Sequence, residues 1–299
     1  MKRDHLSLAT GFLPGLSLLI VLLCRRYVQS GTGMPGWAIE IGVAWLWVMV
    51  EVVVFLLPTL ILMFLCSRKK ESVLDWGLKK LPVRAVPMLL TLAIAMAIVN
   101  LLLGDLIAGV TGHAYSEIHV FAPLLAQQPS IAVLILAVVI VPVFGGQLLF
   151  GRGMMSVYSS CGGLFAIIVS ALCYSLLTGT PETLPGTFLS MLSFIYISWA
   201  LNSVWASVLA HATYSVIHLL LLFVAGAYSG QELWSIVRLV MVFLFGLFLY
   251  LSMHSMEQLM EKGALRRLDR VRRERLINNI VFSPGLWMTV FLFIIQWIT

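Results

Sequence analysis

Three features of this 299-residue sequence point to an all-α, polytopic transmembrane helical bundle of about nine spans. Apolar residues make up 61% of the chain and charged residues only 11%, where a water-soluble domain carries about 25%, and the mean hydropathy is +1.01. Runs of about 20 apolar residues, the length that crosses a bilayer core, recur from end to end. Lysine and arginine gather in two stretches, 67–85 and 262–275, as juxtamembrane clusters do. Together these exclude a soluble enzyme, a disulfide scaffold and a disordered regulator. A nucleic-acid-binding module is excluded too, because the net charge of +6 is accounted for by membrane orientation.

The first apolar run, near 7–24, follows Lys2 and Arg3 as a signal peptide would, but it ends in Arg25 and Arg26 with no small-residue cleavage site. It therefore reads as a retained first span. The second, near 37–66, carries Glu51 at its middle, and the basic stretch 67–85 follows. The third runs near 86–110, and the loop after it holds His113, Glu117 and His119, where polar residues need no special explanation. The fourth, near 131–158, is interrupted in mid-span by Pro142, Gly145, Gly146 and Gln147. The fifth (163–178), sixth (187–201) and seventh (203–227) are closely spaced, and the eighth (234–253) contains Arg238, near enough to its end to snorkel to the interface. The ninth runs near 279–299. Nine spans that start inside and end outside put both basic clusters in the cytoplasm. The loops 111–130, 179–186 and 228–233, free of Lys and Arg, then fall outside, and only Arg25 and Arg26 lie on the wrong side. Cys24, Cys66, Cys161 and Cys173 are scattered without metal or disulfide spacing and read as small core residues.

Polar side chains inside spans are costly in hydrocarbon and so face the bundle interior or a wet cavity. On the seventh span Ser203, Ser207, His211, Tyr214, Ser215 and His218 recur at spacings of three and four, which is one helical face. Ser170, Tyr174 and Thr178 do the same on the fifth. With the glycines of the fourth span they suggest a small polar cavity lined by Glu51, Tyr174, Ser207, Tyr214 and His218. The serines and threonines also suit ordinary helix packing. His211, about eight residues or roughly 12 Å from its span end, is open to three readings: metal ligand, proton acceptor or hydrogen-bonded packing residue. His211 and His218 are two turns apart, about 10 Å, too far to share a metal from one straight helix. Glu51 is either a partner of His211 at similar depth or a neutral carboxyl hydrogen-bonded locally.

The order of these features resembles the CPBP family, the CAAX proteases and bacteriocin-processing enzymes also called Abi, over roughly 67–216. The stretch VLDWGLKK (Val73 to Lys80) looks like that family's Gly-Leu-basic element. The first catalytic motif of the family, Pro-x-x-Glu-Glu-x-x-x-Arg-Gly, corresponds here to PVFGGQLLFGRG, Pro142 to Gly153. Anchored on Pro142, the glutamates become Gly145 and Gly146; anchored on Arg152, they become Gln147 and Leu148. The second motif, Phe-x-x-x-His, resembles Tyr174 to Thr178, with Thr178 in the histidine position. The third resembles NSVWASVLAHATYS (Asn202 to Ser215), in which His211 keeps the histidine and Ser215 replaces Asn or Asp.

The resemblance implies an intramembrane protease in which a glutamate activates water and histidines bind metal or stabilise the oxyanion. General-base chemistry requires a group that can take a proton, and Gly145, Gly146, Gln147, Leu148 and Thr178 cannot. The expectation is a CPBP-like scaffold that has lost peptidase activity: an accessory or regulator, a pseudo-protease, that binds a membrane-protein partner or hydrophobic peptide within the lipid bilayer. Two alternatives stand beside it, an active CAAX-type or leader-peptide endopeptidase with a rearranged site, and a transporter or ligand-binding membrane protein. No cofactor is expected on the first reading; zinc belongs to the enzyme reading. No nucleic-acid partner is expected. The chain is expected in a bacterial cytoplasmic membrane, multi-pass, N-terminus inside, with N-terminal helices over 1–66, the CPBP-like core over 67–227 and C-terminal helices with a basic cytoplasmic loop over 228–299.

Overall fold

The computed structural model describes residues 11–30, 43–67, 77–111, 131–178, 180–228, 232–261, 280–281 and 283–298. Nine helices follow one another among them, one for each apolar run. They are α1 (Phe12–Ser30), α2 (Val43–Ser67), α3 (Val86–Thr111), α4 (131–158), α5 (Gly163–Thr178), α6 (Leu184–Leu201), α7 (Val204–Tyr228), α8 (Glu232–Glu261) and α9 (Pro284–Ile298). Five of these, α2, α3, α6, α7 and α8, are long and apolar enough to cross a membrane, and α1, α5 and α9 contain shorter apolar stretches. α1 carries Arg25 and Arg26 within its last two turns. α8 extends eight residues past the expected 253, to Glu261. The loop carrying His113, Glu117 and His119, and the basic run Lys262 to Arg275, lie outside the described residues. No strand occurs among the described residues; one isolated bridge joins Leu78 to Ser203.

The chain forms two compact units. The first takes Met1–Trp76, Pro123–Leu177 and Leu268–Thr299, and so holds α1, α2, α4, α5 and α9; the second takes Gly77–Ala122 and Thr178–Arg267 and holds α3, α6, α7 and α8. Within the first unit, α9 lies along α1: Gly15 abuts Met288 and Thr289, and Gly285 abuts the backbone of Gly11 and Phe12. These contacts advance together, so the two helices are parallel. α4 lies along α2 in the same sense, with Gly145 against Phe55 and Gly153 against Leu62. Within the second unit α8 runs antiparallel to α3, because Arg238 meets Asp105 at one end and Ser252 meets Met88 at the other.

Pro58 lies inside α2. A proline has no N–H, so the carbonyl four residues earlier, that of Val54, loses its donor. Ser17 of α1 supplies one: its Oγ donates to the Val54 carbonyl at 2.9 Å, with both residues buried. Thr59 Oγ1 donates to the Phe55 carbonyl at 2.7 Å. Neighbouring hydroxyls re-satisfy a proline-broken helix in this way because no water is at hand in a membrane.

α4 is irregular. Its α-helical pieces Ile131–Ile135, Val141–Gly146 and Met155–Tyr158 alternate with π-helical stretches Leu136–Ile140 and Gln147–Met154. The first wide stretch ends just before Pro142, whose ring and missing N–H disturb the turn ahead of it. The second contains Gly151 and Gly153. Eight residues of π-helix is long for a conformation found mostly as single-turn bulges at functional positions.

In the second unit, α3, α7 and α8 share an apolar core of Ile98, Leu101, Leu222, Ala225, Trp234 and Met241. α6 ends at Asn202, which takes a left-handed conformation (φ 49°). The N–H of Asn202 reaches the Trp199 carbonyl at 3.1 Å and that of Ser203 the Ser198 carbonyl at 3.0 Å. That is the two-bond helix stop in which Asn is the usual non-glycine choice. It turns the chain directly into α7. The thiols of Cys66, Cys161 and Cys173 are buried, as small core residues.

Candidate functional site

Of the three stretches that resemble catalytic motifs, the first two lie in the first unit as far as Leu177, and the third lies in the second unit. In α4, the two registers of the resemblance place the paired glutamates at Gly145 and Gly146 or at Gln147 and Leu148. A Cβ on Gly145 would come 2.5 Å from Phe55 Cβ and 2.7 Å from its Cγ. One on Gly146 would come 2.5 Å from Tyr174 Cε2. These are ring and stem atoms of packed aromatic residues, both buried, with little freedom to withdraw. The space a carboxylate side chain would enter is therefore filled, from α2 on one side and α5 on the other.

Gln147, fully buried, points its Oε1 to where a side chain on Gly151 would begin, 2.5 Å from that position. Arg152 is 2% exposed, so its guanidinium is enclosed by protein. Tyr174 packs edge-on against Phe150, with ring centroids 5.6 Å apart. Ser170 is buried beside it on the same helix face, and Ser175 donates to the Ala171 carbonyl at 2.7 Å. Thr178 is the last residue of α5, and its side chain lies outside the described residues. Glu51 is half-buried on the stripe of α2 that carries Val48, Phe55, Leu62 and Cys66, one turn from Phe55.

In α7 the polar stripe is turned inward as its period requires. Ser203, Ser207, His211, Tyr214 and His218 are buried and Ser215 is half-buried. Ser207 donates to the carbonyl of Val204 at 2.9 Å, an ordinary packing bond within its own helix. The rings form a ladder: Phe194 of α6 stacks on His211 at 5.9 Å and meets Tyr214 edge-on at 5.6 Å. Tyr214 in turn stacks on His218 at 5.5 Å, nearly parallel. Asn100 of α3, fully buried, donates from Nδ2 to Tyr214 Oη at 2.6 Å. Gly186 of α6 presses on the other side of that amide.

Sequence reasoning passed over Asn100, although a lone amide in mid-span meets the same criterion that singled out the α7 stripe. It also left Arg238 without a partner. The structure joins Arg238 Nη1 to Asp105 Oδ2 at 3.2 Å, both side chains partly exposed. Phe55 and Phe194 give no signal of their own, since each is one aromatic residue among many.

A catalytic zinc needs three protein ligands converging on it. Among the described residues no three His, Cys, Asp or Glu come together in that way. The ring neighbours of His211 are Phe194 and Tyr214. In the Pro142 register of the resemblance, the carboxylate positions of the first motif are glycines in filled space, so among the described residues that stretch supplies no carboxylate ligand.

With this geometry in hand, comparison with known families gives one match. Residues 128–217 match the Rce1-like family, described as type II CAAX prenyl endopeptidase Rce1-like. The match covers under a third of the chain, α4 through the first half of α7, and contains all three motif-like stretches. No curated protein and no solved structure matches the chain. The chain is thus an all-helical protein with membrane-embedded helices that resembles this endopeptidase family across its motif region.

Proposed function

We propose that this chain is a non-catalytic relative of CAAX-type endopeptidases, holding a hydrophobic peptide or a partner's transmembrane segment without cleaving it. One observation carries the reading: the helix turn that would present the water-activating carboxylates presents Gly145 and Gly146, with Phe55 and Tyr174 filling the space beyond them. Without a base to take the proton from water, peptide hydrolysis has no route through these positions. The basic clusters of the sequence support a cytoplasmic-membrane protein with its N-terminus inside.

The test uses the full chain in lipid nanodiscs with a prenylated C-terminal peptide, measuring binding by fluorescence anisotropy and cleavage by mass spectrometry. Saturable binding with intact peptide is the expected result. Turnover above a no-protein control overturns the proposal.

A second reading has one observation in its favour. Glu51 is a half-buried carboxylate one turn along α2 from Phe55, the residue that covers Gly145. A rearranged endopeptidase would use it as the base. That reading requires peptide turnover that disappears in Glu51→Gln while the variant still folds.

A further inference from the structure

We infer that residues 77–84 form a binding site for the phosphate headgroup of an anionic phospholipid. The segment precedes α3 as irregular chain ending in a short turn, Val83–Ala85. Its backbone is fastened to the start of α7. The Val204 N–H donates to the Gly77 carbonyl at 2.8 Å, Ser203 Oγ donates to the Lys79 carbonyl at 2.7 Å, and Leu78 bridges to Ser203.

With its backbone held, the segment turns two kinds of side chain outward together. Lys79, Lys80 and Arg84 are exposed, and no described carboxylate forms an ion pair with them, Glu257 and Glu261 at the end of the neighbouring α8 included. Between them stand Leu78, 66% exposed, and Val83, 83% exposed. Free phosphate or a soluble acidic protein would explain the cations and leave the two apolar side chains in water at a cost. A phospholipid accounts for both: phosphate against the lysines and arginine, acyl chain against Leu78 and Val83. The surrounding sequence agrees in charge, with six basic residues against Glu71 and Asp75 over 68–84. Because Ser203 and Val204 hold this segment, an occupied site secures the start of the helix that carries His211. The inference does not depend on whether the chain cleaves peptides.

The test is native mass spectrometry and thermal unfolding of the full chain in nanodiscs of phosphatidylcholine alone or mixed with phosphatidylglycerol. Phosphatidylglycerol is expected to be retained preferentially and to raise the unfolding temperature. Lys79→Gln, Lys80→Gln and Arg84→Gln together should weaken that preference by roughly fivefold per cation removed, the equivalent of about 1 kcal/mol each. All three side chains are exposed, so the variant keeps its fold. Removing the same number of charges at Arg266, Arg267 and Arg270, in the other basic cluster of the sequence, should weaken the preference less. Equal loss in both variants means that bulk charge alone attracts lipid, and overturns the site. Leu78→Ser with Val83→Ser should weaken lipid retention. Protection of detergent-solubilised protein by inorganic phosphate, matching that by phosphatidylglycerol, means a free-anion site and overturns the lipid proposal.

Discussion

Replacing Ser17 by Ala removes the hydroxyl donor that meets the Val54 carbonyl where Pro58 lacks an N–H. The acceptor is buried between α1 and α2, so water has no path to it. Leaving a buried acceptor unpaired costs about 1–3 kcal/mol, while side-chain hydrogen bonds in membranes measure about 0.6 on average and up to about 1.7. The expected destabilisation is about 1.5 kcal/mol, roughly a tenfold change in the folding equilibrium, measured by titrating the protein from mild detergent into SDS. The decisive comparison is the same substitution in a Pro58→Ala background. Residue 58 then has an N–H, the carbonyl four residues back regains an intrahelical donor, and Ser17→Ala should cost little. A coupling of about 1 kcal/mol in this double-mutant cycle is what the geometry requires. If Ser17→Ala costs the same with proline or alanine at position 58, the hydroxyl serves only local packing and the account of α2 is wrong.

Other consequences are equally direct. Gly146→Ala pushes a methyl against Tyr174 and should destabilise the fold by about 1–3 kcal/mol; in a Tyr174→Ala background the same change should become neutral or favourable, since alanine is the better helix former. A loss of equal size in both backgrounds would show that Tyr174 does not fill that space. Asn100→Ala and Tyr214→Phe should be non-additive by about 1 kcal/mol in the same SDS titration, whereas additive losses would break the link between α3 and α7. Arg238→Gln is expected to cost less than about 1 kcal/mol, because the Asp105 pair is partly exposed; a larger loss would mean the pair is enclosed by lipid or partner. Elemental analysis of protein purified without chelator should find well under one zinc per chain, unchanged in His211→Ala. Stoichiometric zinc that disappears in His211→Ala would bring back the enzyme reading.

These experiments separate the integrity of the scaffold from its chemistry. The match over 128–217 concerns the scaffold, and the residues that would perform hydrolysis are a separate matter because a fold hosts more than one function. For the proposed non-catalytic reading, the filled space at Gly145 and Gly146 weighs as much as their lack of a carboxylate. The neighbouring helices close on both glycines. Introducing Glu at either position requires moving an aromatic ring as well.

Much of the architecture was legible in the order of residues. Apolar runs of span length recur because hydrocarbon tolerates little else, and each yields a helix. The polar period of α7 gave its buried face, and Ser203, Ser207, His211, Tyr214 and His218 are buried as that period demands. Periodicity reports which side of a helix is covered and carries no record of what covers it. That Phe55 rather than another apolar residue lies on Gly145, that Ser17 completes the turn broken by Pro58, and that Asn100 holds Tyr214 are matters of long-range register between helices. The π-helical stretches of α4 are equally invisible, since they depend on which carbonyl each N–H selects once the neighbours have packed. The sequence by itself determined that the chain lives among lipids, how often it turns and which faces it hides. Only the tertiary structure decided which side chains meet, because contacts between distant segments are chosen by the shape of packed surfaces, and local composition does not encode that shape.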